Sequence, residues 1–91
     1  MVVMVLERVT PGLRGELTRW LLEAKAGMFV GSVSGLVRDR LWERACRGIK
    51  EGGGILIYSA DTEQGFAVRT CGAPRRRAVD FEGLLLFKTP H

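Results

Sequence analysis

Histidine is all but missing from this sequence; the only one is His91, the last residue. Cysteine is scarce, with Cys46 and Cys71 far apart and no C-x-x-C pair. A structural zinc site therefore lacks ligands, and Ser–His–Asp or Cys–His catalysis lacks its base. The phosphate-cradling pattern GxxxxGK[ST] is absent, which removes the usual nucleotide-hydrolase reading. No apolar run approaches the roughly 20 residues of a membrane helix. Met1–Leu6 is apolar but too short for a signal or membrane segment, so it reads as a strand. With so few cysteines and no ligand pattern, Cys46 and Cys71 are expected to be buried, reduced thiols of a cytoplasmic protein.

What is present describes one small folded domain spanning 1–91. The chain has 91 residues, 46% hydrophobic and 26% charged, with a formal net charge of +4. That balance suits a folded protein with a modest core, to which self-association would add buried area. Eleven of the fourteen basic residues are arginine, whose planar fork of donors matches phosphate oxygens. The excess positive charge favours a polyanionic partner.

Along the chain, Met1–Val9 reads as a buried strand turning polar at Glu7 and Arg8. Thr10 can cap a helix with Pro11 at its first position. Leu13, Leu17, Trp20, Leu21 and Ala24 share one helical face, so a helix is predicted from Leu13 to about Lys25, stopped by Gly27. Met28–Val30 is a short strand. Ser32 or Ser34 caps a second helix, about Gly35–Lys50, with an apolar stripe of Val37, Leu41, Ala45 and Ile49. Arg40, Arg44 and Arg47 form a basic stripe on that helix, read as a solvated face supported by Glu43 to Arg47 at i+4. Gly52–Gly54 is a turn, Ile55–Ala60 a central strand, Asp61–Gly65 a hairpin turn and Phe66–Cys71 the returning strand. Leu84–Lys88 is a last, strongly apolar strand, expected to pair with a partner's sheet or a sister protomer. The order predicts an α+β, ferredoxin-like sandwich: a sheet with two helices on one face, plus this C-terminal strand for partner docking.

Few residues offer chemistry. Glu7 lies where a buried strand emerges. It reads either as an exposed or arginine-paired glutamate, or as a metal ligand doubled by a twofold axis so that two carboxylates hold one Mg²⁺. Arg75, Arg76 and Arg77 follow Pro74 as a run of like charge, read as a solvated loop or as a clamp on a phosphate backbone. Arg14, near a helix start, is a second phosphate candidate.

The stretch Leu13-Arg14-Gly15, Leu17, Trp20-Leu21-Leu22-Glu23, Gly27 and Val30-Gly31 is similar to the signature of the CRISPR-associated protein two family, in its type I-E branch. The series continues through Trp42-Glu43, Thr62-Glu63, Gly65-Phe66, Gly72, Arg75-Arg76, Val79-Asp80 and Gly83-Leu84, from about Val2 to Phe87. The resemblance implies a ferredoxin-like homodimer that holds double-stranded DNA between dimers of the adaptation integrase while new spacers enter the CRISPR array. It implies that Arg14, Arg75 and Arg76 contact the duplex backbone, with Arg77 extending the run. It implies that the segment 83–91, through Leu84, Leu85, Leu86 and Phe87, docks on the integrase. Some relatives are described as Mg²⁺-dependent endonucleases on RNA or double-stranded DNA; the wider family usually has aspartate where this chain has Glu7. The chain is also expected to have one strand between its helices where that family has two. A DNA-binding scaffold is thus the leading expectation and a metal-dependent phosphodiesterase the alternative, with a small RNA-binding regulator as a third class. No membrane partner is expected.

Overall fold

A computed structural model describes residues 1–49 and 52–72 of the chain. The elements run β1 (Val2–Leu6), α1 (Pro11–Leu17), β2 (Leu22–Lys25), β3 (Met28–Gly31), α2 (Gly35–Gly48), β4 (Gly53–Ser59) and β5 (Phe66–Gly72). The strands form one sheet in the order β2-β3-β1-β4-β5, with every neighbouring pair antiparallel. Strands joined through a helix lie one apart, with a third strand between them. This is the interlocked split βαβ arrangement of a ferredoxin-like α+β fold.

Local chemistry sets the helix starts. The Thr10 hydroxyl accepts from the Leu13 N–H with Pro11 at the first helical position, and the Ser34 hydroxyl accepts from the Val37 N–H. Both helices cover one face of the sheet. Leu13 and Leu17 of α1 and Leu41, Trp42 and Ala45 of α2 pack onto Val2, Met4, Leu6, Phe29 and Leu56 in a single core.

Antiparallel register places the intervening residues on the opposite face. Val3 and Val5 stand beside Val30 and Met28 on one side and beside Ile57 and Ile55 on the other. Leu22 faces Val30 and Val68 faces Ile57. No helix among the described residues covers this face, whose apolar side chains are half-buried except Leu22, which is 71% exposed.

Three expectations are corrected. The first helix ends at Leu17, not near Lys25, and Leu22–Lys25 is a strand, so two strands stand between the helices. The residues Leu-Glu-Ala-Lys are all strong helix formers, yet pairing with β3 overrides that propensity. Gly27 turns the β2–β3 hairpin at φ +81 rather than stopping a helix. A side chain there would also meet the Leu6 carbonyl oxygen at 2.5 Å, which only glycine avoids. Second, Gly53 and Gly54 belong to β4 and are buried. Third, Cys46 and Cys71 are joined in a disulfide that ties α2 to the end of β5, with Cα atoms 5.9 Å apart. Cys71 lies opposite Gly54, whose missing side chain leaves room under Trp42 for the bridge.

Candidate functional site

Glu7 follows the last residue of β1. Its backbone N–H donates to the Gly53 carbonyl at 3.1 Å and its Oε1 accepts from the Gly53 N–H at 2.8 Å. The carboxylate lies against Gly52, where an added Cβ would stand 2.7 Å from Oε1. Gly52 has φ +85, so glycine is needed there for two reasons at once. Glu7 thus closes the start of β4 onto the end of β1. Among the described residues no group of three or more His, Cys, Asp or Glu is placed to hold a metal ion.

Arg14 is the fourth residue of α1. Its Nε donates to both Glu23 oxygens, at 2.9 and 3.0 Å. Glu23 also accepts from the Gly27 N–H at 3.0 Å, so one carboxylate joins α1 to the β2–β3 hairpin. The Gly27 N–H, and then Arg14, hold the Glu23 carboxyl below its usual range against the opposing effect of desolvation. Both Arg14 hydrogen bonds leave from Nε. Its two terminal nitrogens make no protein hydrogen bond among the described residues, and the side chain is 42% exposed.

Other arginines of the body carry carboxylate partners too. Arg44 pairs with Glu16 at 2.7 Å, Arg47 with Glu43 at 3.1 Å, and Arg38 and Arg69 share Asp39. Arg38 and Arg69 also stack on Tyr58, with guanidinium carbons 4.0 and 5.2 Å from the ring centroid. The expected Glu43–Arg47 support is therefore present, whereas Arg44 reaches across to α1. Arg75, Arg76, Arg77 and the Leu84, Leu85, Leu86 and Phe87 segment lie outside the described residues.

Sequence reasoning missed the anchoring role of Glu23, because a polar position on an expected helix announces no hairpin partner. It also missed the exposure of Trp20, which is 56% exposed because α1 stops three residues earlier. Among the described residues no helix is long and apolar enough to cross a membrane. A family model described as CRISPR-associated protein (Cas_Cas2CT1978) matches residues 1–86 of the chain.

Proposed function

This chain belongs to that CRISPR-associated family, and on that footing we propose that it is a spacer-acquisition subunit of the type I-E kind: a homodimeric scaffold that holds double-stranded DNA for the adaptation integrase. The apolar sheet face, which no helix covers among the described residues, supports the homodimer. Half-buried Val3, Val5, Met28, Val30, Ile55 and Ile57 form a continuous surface of the sort that marks an interaction site. A second copy packed face to face would complete a two-layer core.

The charge pattern supports the DNA contact. Four arginines of the body, Arg38, Arg44, Arg47 and Arg69, are committed to carboxylates, while Arg75, Arg76 and Arg77 add three successive cations in a segment whose acidic residues are Asp80 and Glu82. Arg14 joins them through its terminal nitrogens, its Nε fixed by Glu23. Contacts of this type position a duplex without reading its sequence. Leu84–Phe87, strongly apolar, is the segment we assign to integrase docking.

The observation that carries the scaffold reading over a magnesium-dependent nuclease is the setting of Glu7. Mg²⁺ demands near-octahedral oxygen geometry and is held through carboxylates. Among the described residues a single carboxylate stands here, already accepting from the Gly53 N–H, and those residues do not by themselves make a site for that ion. The test is spacer acquisition in cells carrying the integrase and array. Glu7→Gln is expected to acquire spacers at the wild-type rate and Arg75→Ala/Arg76→Ala to lose acquisition. Loss in a folded, dimeric Glu7→Gln protein, with the arginine variant intact, would reverse the assignment.

A further inference from the structure

The basic stripe Arg40, Arg44, Arg47 borders a groove between α1 and α2, on the helical side of the sheet. A groove of about 630 Å³ is floored by Val37 and Leu41, flanked by Trp20 and Leu36, and walled by Arg40 and Arg44. It continues past the Arg44–Glu16 ion pair into a second hollow of about 270 Å³ beside Leu13 and Arg47. From Leu36 to Arg47 the combined groove runs ~17 Å at the helical rise of 1.5 Å per residue.

Two large apolar side chains stand unusually open at one end: Trp20 is 56% exposed and Leu36 66%. The Trp20 backbone is held by its N–H donating to the Leu17 carbonyl at 3.0 Å, so the indole stands on a fixed turn. Exposed aromatic and arginine side chains around an apolar hollow are the residue types that dominate binding energy at protein interfaces.

The electrostatics select the occupant. Arg44 and Arg47 already hold Glu16 and Glu43, so the wall presents a small positive excess rather than the row of unmatched cations a polyanion needs. Arg40 makes no ion pair among the described residues and stands beside the apolar hollow. An aliphatic floor with one adjacent cation suits a large apolar side chain followed by a carboxylate. We propose that this groove docks an acidic protein segment, about eleven residues long if helical, which inserts a Leu, Phe or Trp between Trp20 and Leu36 and sets an Asp or Glu on Arg40.

A random 16-residue peptide library displayed on phage tests this directly. It is selected on the wild-type protein and counter-selected on Leu36→Ser/Arg40→Glu, whose changed side chains are exposed; circular dichroism checks that variant's fold. Enriched peptides are expected to carry a bulky apolar residue with Asp or Glu three or four positions away. The best, made synthetically, should bind wild type at least ~10-fold more tightly than the double variant by fluorescence polarisation, a difference of about 1.4 kcal/mol. Equal enrichment on both proteins, or enrichment of basic peptides, overturns the proposal. So does displacement of the peptide by duplex DNA with matching loss of DNA affinity in the double variant, which would make the groove a nucleic-acid surface. A change in the variant's mass by light scattering would instead place a second copy there and also overturn it. The scaffold reading stands or falls on Arg75 and Arg76, so the two failures are distinguishable.

Discussion

Glu23 and Glu7 are two carboxylates that each accept from a glycine N–H, Glu23 from Gly27 in the β2–β3 hairpin and Glu7 from Gly53 at the start of β4. Glu23 is 18% exposed and takes three hydrogen bonds, from Gly27 and twice from Arg14 Nε. Because the folded state depresses its pKa, its stabilising contribution is complete above the unfolded carboxyl pKa, ~4.3, and is lost as pH falls through the lower folded value. Glu23→Gln should therefore be less stable than wild type at pH 7, with the gap closing on acidification below pH 4. Urea midpoints at a series of pH values measure this, and a gap that widens toward low pH would contradict the sign. Glu7 stands out in the sequence by its position at a strand end, but the bond to Gly53 depends on a chain closure 46 residues away that no local pattern reveals. The same holds for Arg14: its charge is legible, and its partner Glu23 is hidden inside what looks like the same helix.

At the level of elements, both helix caps, α2, β3, β4 and β5 can be read from capping residues and apolar periodicity. The strand β2 cannot. Leu22–Lys25 is an edge strand with little buried surface, so no alternating pattern marks it, and its residues favour a helix. Distance in sequence also hides the Cys46–Cys71 bridge, because only the stacking of α2 over the β4–β5 hairpin brings the two together. The bridge closes a loop spanning α2's last turn and that hairpin, and such a crosslink contributes about 3 kcal/mol through the unfolded state. Cys46→Ser/Cys71→Ser, or treatment with a phosphine reductant, should lower the urea midpoint by the corresponding amount while the sheet persists in circular dichroism. An unchanged midpoint, with thiol counting that finds two free cysteines in the native protein, would contradict the pairing.

At the scale of the whole described body, the sheet is two-faced. The helices cover one side of the sheet, and the other side leaves Val3, Val5, Ile55 and Ile57 half-buried with no helix above them among the described residues. Val3 and Ile57 are direct cross-strand neighbours near the middle of that face. Ile57→Asp should give a folded monomer by light scattering, because a charge cannot be buried there without a partner. A dimer that survives both Ile57→Asp and Val3→Asp would move the interface elsewhere. Positive charge is distributed with the same division of labour: the body neutralises most of its arginines internally, and the run Arg75–Arg77 carries a local excess. That excess makes the salt dependence of duplex-DNA binding the most direct measurement of the scaffold assignment. Affinity is measured between ~50 and 200 mM salt for wild type and Arg75→Ala/Arg76→Ala. The slope of log K against log salt should flatten by ~0.9 for each phosphate that the variant no longer neutralises, hence by ~3.6 for a dimer that neutralises four through these arginines. An unchanged slope, with duplex binding intact, would contradict the account.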